Sequence, residues 1–446
     1  MSHRGASPDP LDPSRLANKY RRSFSYRIAE GSAQLENQIA GAVRLSTGDY
    51  PDILEDYLCI SRKRQKNATA MVNLQMSLLQ ELAVQEQSIK VYKSTVAPEP
   101  KAQRVVESQI FMHRLIANTI RNVGDGIVWR SLEFDRSIPR ILSAQPVKHV
   151  VLEDGLAAEL REWFTINRQP SKTAILNVIT NCMAMGDVTS IDSDGSVEVI
   201  EVKTTKTKSS RKIRQRNQLR DAAGILSLGI GIVEGKEVRI GSSPIVPTNH
   251  LKELRLLLDE CSINGWSSML VAEHCYLECI DFKKLGLFED AAPKMEEAYM
   301  RSCQKWGKDR VDTMSSIDVI SFSPNIAPFT IFPFDDKTCV ELAMGSKCFM
   351  CHLNVSAVLR QFEGAGWTVL SAMEEAITQT KGEAVIIATK RGIVCHIPPS
   401  DFGKMLLETL TPTSIIEECE FISSLDPKAA EGYGLWMFDG EASQWN

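Results

Sequence analysis

The spacing of apolar residues changes along the chain, and each change predicts a different element. In residues 71–91, apolar side chains recur every three or four positions among glutamine and glutamate, which indicates an amphipathic helix. Residues 102–122 show the same spacing, and Gly124-Asp125-Gly126 is expected to end this second helix. The apolar run at 127–132 then predicts a strand, so the central part of the chain is expected to open as a helix followed by a sheet.

A hairpin is predicted further along, where two β-branched runs flank Asp194-Gly195. Successive side chains of a strand point to opposite faces. One face of the second strand is therefore expected to carry Val197, Val199, Glu201 and Lys203. This arrangement puts a carboxylate beside an ammonium group at the strand end, and Asp187 is expected on the neighbouring strand, directly after Gly186.

These charged groups have the chemistry of a divalent metal site. Two carboxylates close together repel each other, and a divalent cation relieves that repulsion. A lysine next to such an ion can orient or deprotonate a water molecule. We therefore expect Asp187 and Glu201 to share a divalent cation, with Lys203 placed to orient or deprotonate a water molecule.

Asp187 followed by Glu201-x-Lys203 on a hairpin, with a basic helix after it, resembles the PD-(D/E)XK nuclease superfamily, whose fold is restriction-endonuclease-like. The resemblance covers residues 101–228. It implies a core with the element order αβββαβ, Mg²⁺ held by the acids, and hydrolysis of phosphodiester bonds in a nucleic acid. DNA is the substrate that the resemblance implies, and RNA stays an alternative.

The resemblance also implies roles for residues outside the hairpin. Gln215 or Gln218, on the helix that follows, would support the catalytic site. A third metal-associated acid often comes from an earlier helix in this superfamily, and Glu107 is the candidate here, with Glu159 as its rival. Ala222 stands where recombination-type members have tyrosine, so the chain departs from that subgroup.

Positive charge is concentrated next to the predicted metal site. The whole chain has a net charge of −5, yet no acidic residue occurs between Glu201 and Asp221. Lysine and arginine neutralise phosphates with little dependence on nucleotide sequence. The contacts with nucleic acid that we expect in this stretch are Lys206, Lys208, Arg211, Lys212, Arg214, Arg216 and Arg220.

Other functions fit parts of the same pattern. Glu201 and Lys203 could form an ordinary ion pair on an exposed hairpin, which would contribute little. The chain could also be a nucleic-acid-binding or scaffolding protein that keeps the fold without the metal, or a repair or recombination nuclease that works with a partner. By analogy alone, the flanking regions suggest an enzyme of antiviral defence in bacteria.

The chain as a whole is predicted to be a mixed α/β (α+β) protein. Its four regions are an arm at 1–28, a helical region at 29–95, the nuclease-like domain at 101–284 and a C-terminal α/β domain at 285–446. In the last region we expect helices at 291–306, 353–361 and 401–409, and strands at 318–322, 329–332, 383–388 and 392–397. The N-terminal helices and the C-terminal domain are candidates for contacts in a homo-oligomer.

Composition indicates the setting in which the protein works. Of its 446 residues, 43% are hydrophobic and 24% are charged, which is ordinary for globular domains. The first residues contain no apolar signal segment, and no apolar run reaches the roughly 18 residues of a membrane span. The 11 cysteines follow no disulfide spacing, so we expect reduced thiols in a cytoplasmic protein without membrane contact.

One short run has the letters of a haem attachment site, at residues 348–352 (CFMCH). That chemistry needs an oxidising compartment, for which the sequence gives no sign. A zinc site would need a second pair of ligands, and adjacent residues such as Cys395 and His396 are poor joint ligands. We therefore predict neither haem nor zinc at this run.

Overall fold

The computed structural model describes most of the chain from residue 68 onward. The described residues are 68–94, 100–132, 134, 136–143, 150, 154–202, 222, 224, 230–233, 236–243, 245–284, 288–316, 326–343, 345–372, 385–424 and 435–438. The arm predicted at 1–28 and the strand predicted at 318–322 lie outside them, as does the part of the helical region that precedes residue 68.

The described residues form a mixed α/β structure, as predicted. The helices are α1 (Ala68–Ser94), α2 (Pro100–Ser131), α3 (Ser137–Leu142), α4 (Asp154–Asn167), α5 (Leu251–Asn264), α6 (Phe288–Ser302), α7 (Asp336–Ala343), α8 (Val355–Gly364), α9 (Pro399–Leu407) and α10 (Pro412–Ser424). Short 3₁₀ turns occur at Asn177–Ile179, Gln304–Trp306 and Phe329–Ile331.

The strands form several small sheets rather than one large one. They are β1 (Lys172–Leu176), β2 (Val188–Asp192), β3 (Val197–Ile200), β4 (Ile230–Val233), β5 (Lys236–Ser243), β6 (Trp266–Ala272), β7 (Cys275–Asp281), β8 (Val311–Ser315), β9 (Lys347–Asn354), β10 (Thr368–Ala372), β11 (Ile386–Lys390), β12 (Ile393–Ile397) and β13 (Leu435–Phe438). The sheet orders are β1-β2-β3, β13-β5-β4, β6-β7-β9-β8 and β10-β11-β12. Neighbouring strands are antiparallel, except that β13 is parallel to β5.

The chain divides into two compact units. The described residues of the first unit lie within Asp49–Asn249, Ile320–Met344 and Thr413–Asn446, and those of the second within His250–Val319 and Gly345–Pro412. The sequence predicted a boundary between residues 284 and 285. That position separates β7 from β8 and β9, which belong to one sheet, so the chain on its two sides folds together. The units divide after Asn249 instead.

In the first unit, α1 and α2 pack along each other. Leu78 and Leu82 of α1 and Ile116 and Ile120 of α2 are almost completely buried. In each helix these residues are four apart, which places them on one face. The amphipathic helices predicted at 71–91 and 102–122 are therefore present, and their apolar faces form part of the core.

The helix α2 continues through Gly124, where the sequence predicted an end, and the strand predicted at 127–132 is instead the last part of this helix. A Cβ atom at Gly124 would collide with the carbonyl oxygen of Ile179, and one at Gly126 would press on Thr330. The glycines thus allow close packing of the helix, at a cost of about 1 kcal/mol each relative to alanine. A short apolar run does not distinguish a buried helix from a strand, which explains the wrong prediction.

The strand predicted at 329–332 is also wrong, because Phe329–Ile331 forms a 3₁₀ turn. Its polar groups bond to α2 rather than to a neighbouring strand. Arg130 donates from Nη2 to the carbonyl of Thr330 at 2.8 Å, and the hydroxyl of Thr330 donates to the carbonyl of Asn122 at 2.8 Å. The aromatic side chains of this segment are buried, so the apolar run reflects burial and not strand pairing.

The second unit is built on the sheet β6-β7-β9-β8, against which α5, α6 and α9 pack. The helices predicted at 291–306, 353–361 and 401–409 correspond to α6, α8 and α9, and the strands predicted at 383–388 and 392–397 correspond to β11 and β12. Residues 348–352 lie inside β9, where every residue is buried. Their cysteines therefore occupy ordinary interior positions of a strand.

Candidate active site

The predicted hairpin is present as β2 and β3. Val188 lies opposite Ile200, and Thr189 lies opposite Val199. The turn is closed at the other end by Gly195, which has a φ of +83°. This left-handed conformation favours glycine, so the turn forms where the Asp-Gly pair predicted it. On its other side β2 pairs with β1, which completes an antiparallel sheet of three strands.

Asp187 is fixed at the start of β2 by three hydrogen bonds. Its N–H donates to the carbonyl of Ile200 at 2.8 Å, and its carbonyl accepts the N–H of Asn177 at 3.0 Å. The carboxylate accepts the N–H of Val202 through Oδ2 at 2.8 Å. Asp187 is 6% exposed. The aspartate is therefore held in one position beside residues 200–202, where the second strand of the hairpin ends.

Gly186 is needed for this placement of Asp187. It has a φ of +69°, in the left-handed region that other residues rarely adopt. A Cβ atom at this position would also collide with the side chain of Val199. Backbone conformation and packing both require glycine directly before the aspartate.

Glu201 follows the last residue of β3 and is partly buried. Since β2 and β3 are antiparallel, the start of β2 and the end of β3 lie at the same end of the hairpin. Asp187 precedes the paired residues on one strand, and Glu201 follows them on the other. The structure thus brings these two acids to one end of the hairpin.

Neither candidate for the third acid completes a metal-binding group with Asp187 and Glu201 among the described residues. Glu107 is exposed on α2, where it accepts a hydrogen bond from Gln103 of the same helix at 2.9 Å. Glu159 lies on α4 and is partly buried. Within the described residues, no three side chains of His, Cys, Asp or Glu form a group that could hold a metal ion. Neither Glu107 nor Glu159 therefore joins Asp187 and Glu201 in such a group.

The basic part of the predicted site lies outside the described residues. This applies to the predicted catalytic residues Lys203, Gln215 and Gln218. It applies equally to the predicted nucleic-acid contacts Lys206, Lys208, Arg211, Lys212, Arg214, Arg216 and Arg220.

Three buried polar residues near the hairpin have a structural role that the sequence analysis did not predict. Gln75 of α1 donates to the carbonyl of Ala174 and accepts the N–H of Leu176, both at 2.9 Å, and so satisfies the outer edge of β1. Asp125 of α2 and Asn177 bond in the same way to the segment that leads to Asp187. The position of Gln75 on the apolar stripe of α1 was a signal of a buried role. Asp125 gave no such signal, because its flanking glycines indicated a turn.

Comparisons with known proteins gave no relatives. No protein-family model, curated protein or solved structure matches this chain. In the part of the chain that the structure describes, no helix is both long enough and apolar enough to span a membrane.

Proposed function

We propose that the first unit carries the active site of a metal-dependent nuclease, built on the β2–β3 hairpin. The observation that supports this best is the placement of Asp187 and Glu201 at one end of the hairpin, with the carboxylate of Asp187 fixed by the N–H of Val202. The order of α4, β1, β2 and β3 agrees with the first four elements of the αβββαβ core that the sequence resemblance implies. The proposal includes this core as the fold around the site.

The two acids suit a hard divalent cation such as Mg²⁺ or Mn²⁺, which prefers oxygen ligands. Protein sites for Mg²⁺ often supply only one or two carboxylates, and water and substrate phosphate complete the coordination. Asp187 and Glu201 would therefore be sufficient to hold the ion. When bound, such an ion polarises the phosphodiester and lowers the pKa of a coordinated water.

The remaining residues would position the reactants. The fixed carboxylate of Asp187 needs little reorganisation, which favours catalysis. Lys203, two residues after Glu201, would orient the attacking water, and in its neutral amine form it would accept the proton of that water. Gln215 or Gln218 would support the site, and the basic residues between 206 and 220 would bind the phosphates of DNA.

Cleavage assays test this proposal directly. Circular and linear DNA and an RNA oligonucleotide are incubated with Mg²⁺, Mn²⁺ or EDTA. We expect metal-dependent cleavage of DNA, and a fall of about 100-fold or more in the Lys203→Ala and Glu201→Gln variants with DNA binding retained. Glu198→Gln is the matched control, because Glu198 is an exposed glutamate of β3. Undiminished cleavage by Lys203→Ala would show that the assigned role is wrong.

A second candidate is a nucleic-acid-binding protein without catalytic activity. It is favoured by the low exposure of Asp187 and by the lack of a three-acid group among the described residues. The same assay separates the two functions. DNA binding that persists while neither metal supports cleavage would favour the binding protein.

A further inference from the structure

Asp125 is a buried acid near the C-terminal end of α2, with 1% of its surface exposed. Its Oδ1 accepts the N–H of Asn181 at 2.7 Å and the N–H of Cys182 at 2.9 Å, and its Oδ2 accepts the side-chain amide of Asn181 at 2.9 Å. Burial raises the pKa of Asp125, and the hydrogen bonds from Cys182 and Asn181 offset part of that rise. Burying a carboxylate costs free energy, so we expect an acid at this position to do more than fill the core.

The loop that Asp125 holds is linked to Asn177. The N–H of Met183 donates to the hydroxyl of Thr180 at 3.1 Å, and this hydroxyl donates to the carbonyl of Asn177 at 2.9 Å. On α2, the close contact of Gly124 with Ile179 brings the helix against the same loop. The backbone of residues 179–183 is thus fixed by one helix and by its own side chains.

Asn177 carries the connection to Asp187. Its side chain donates to the carbonyl of Met185 at 2.6 Å and accepts the hydroxyl of Thr189 at 2.9 Å. Its N–H donates to the carbonyl of Asp187 at 3.0 Å. Residues on both sides of the aspartate are therefore tied to Asn177, which is itself tied to the loop held by Asp125.

We propose that Asp125 is a positioning residue, which keeps the segment 177–187 in the one conformation that presents the carboxylate of Asp187 at the end of the hairpin. The proposal rests on the proposed function of Asp187 as a metal-binding acid. Most of this segment is neither helix nor strand, and ordering each of its residues costs about 1–2 kcal/mol of backbone entropy. Displacements of about 1 Å can lower catalytic rates by roughly 100-fold, so this order matters to a nuclease site.

The contact between Asp125 and Asn181 allows an exchange of roles as a test. Asp125→Asn keeps the shape of the side chain, but its amide must face either backbone N–H groups or the amide of Asn181. In the orientation that Asn181 has in the structure, donor then meets donor, and the bonds to the loop cannot all form unless that amide turns over. The double variant Asp125→Asn/Asn181→Asp restores one carboxylate and one amide at the same pair of positions, so donors again face acceptors.

The exchange of the Val202 amide hydrogen gives a readout that does not depend on catalysis. This N–H donates to the carboxylate of Asp187, so its exchange with solvent reports whether that carboxylate is in place. The second readout is the rate of DNA cleavage as a function of Mg²⁺ concentration. Thermal unfolding of each variant shows whether it is folded.

Asn167→Ala is the matched control. Asn167 makes three hydrogen bonds, two of them to the backbone of Ala174 in β1 and one to the carbonyl of Trp163. Its loss removes as many bonds as the loop receives from Asp125, but its bonds to the sheet lie in the middle of β1, opposite Ser190, and not in the segment before Asp187. We expect lower stability in this variant without faster exchange at Val202.

We expect Asp125→Asn to speed exchange at Val202 at least 10-fold, to slow cleavage by about 10–100-fold and to require more Mg²⁺. The double variant should recover most of both effects. A folded single variant with wild-type exchange at Val202 would overturn the proposal. If the single variant does not fold, a folded double variant that exchanges faster than wild type at Val202 would overturn it as well.

These outcomes are separable from failure of the proposed function. A wild-type protein that cleaves no substrate with either metal would refute the nuclease proposal. The exchange at Val202 would still decide whether Asp125 positions Asp187. If the wild-type protein cleaves DNA and the Asp125→Asn variant shows normal exchange at Val202, only the positioning role is refuted.

Discussion

Two groups of buried polar side chains, one in each unit, are bonded in different ways. In the first unit, Gln75, Asp125 and Asn177 bond largely to backbone groups, at a sheet edge and in the irregular segment before Asp187. In the second unit, the buried side chains of Glu278 and His352 in the central sheet bond to each other. Backbone-directed bonds fix a conformation that the chain would not otherwise keep, whereas bonds between side chains of paired strands add stability to a backbone that the sheet already holds.

The side-chain cluster of the second unit spans three strands. The imidazole of His352 in β9 lies 3.1 Å from the carboxylate of Glu278 in β7 and 3.0 Å from the hydroxyl of Thr313 in β8. The ring centroid of Tyr299 in α6 is 4.8 Å from that of His352. The ring of Tyr276, which is paired with His352 across β7 and β9, lies 5.6 Å from it. Burial raises the pKa of both tyrosines, which reflects the apolar surroundings of the cluster.

The largest effect is expected from removing one member of this cluster. His352→Leu takes away the imidazole partner of the buried carboxylate of Glu278, and breaking such a pair costs about 3–5 kcal/mol. The double variant His352→Leu/Glu278→Leu removes both polar groups and should recover most of the loss. The measurement is the free energy of unfolding in urea. If the double variant is no more stable than His352→Leu, then Glu278 and His352 do not depend on each other, and the contrast between the units fails.

A change of pH should distinguish the stability of the two units through His274. This histidine lies in the second unit and is 6% exposed. Burial, followed by the charge of His250, lowers the pKa of His274 from 6.5 to about 4. The ring centroids of the two histidines are 5.6 Å apart, and Gln361 bonds to Nδ1 of His274 at 3.2 Å. Burial also lowers the pKa of His250, while Glu253 opposes that change.

Because the folded pKa of His274 lies below the unfolded one, its contribution to stability is present above pH 6.5 and is lost as the pH falls towards 4. The loss can reach about 3 kcal/mol. His274→Gln should be less sensitive to acid, as measured by thermal unfolding at pH 7 and pH 4.5. Asp125 works in the opposite direction, since its raised pKa favours the folded state at low pH. Parallel pH profiles for wild type and His274→Gln would contradict this prediction.

Local signals in the sequence were enough for much of the fold. The β2–β3 hairpin follows from its alternation and from Asp194-Gly195, and the helices follow from their apolar spacing. The wrong predictions arose where a distant contact decides the structure. Gly124 and Gly126 indicate a turn when read locally, and only the approach of Ile179 and Thr330 shows that they permit packing inside a helix.

The candidate site shows the same limit. Asp187 and Glu201 could be selected because their spacing on a hairpin is a local property, and the turn places them together. The role of Asp125 could not be predicted, because Asn181 is 56 residues away in the chain and its contact with α2 depends on the packing of the whole first unit. The division between the units escaped detection for a related reason, since β7 pairs with β9 across the predicted boundary.

The smallest expected effect comes from adding one methyl group where α2 meets the loop. In Gly124→Ala the new Cβ would collide with the carbonyl of Ile179, and overpacking of this kind costs about 1–3 kcal/mol. Better helix propensity returns about 1 kcal/mol, so we expect a net loss of up to about 2 kcal/mol in the free energy of unfolding. Gly155→Ala in α4 is the control, because apart from its chain neighbours and the backbone of its own helix no atom lies within 4 Å of the new methyl group. This variant should gain up to about 1 kcal/mol.

The same two variants test whether the contact between Gly124 and Ile179 helps to position Asp187 or only fills space. If α2 fixes the segment before Asp187, the displaced helix in Gly124→Ala should also speed hydrogen exchange at Val202, whereas Gly155→Ala should leave that exchange unchanged. A loss of stability without a change at Val202 would mean that the contact only fills space. In that case the backbone-directed bonds of the first unit would stabilise the fold in the same way as the side-chain cluster of the second, and the difference between the two units would have no bearing on the site.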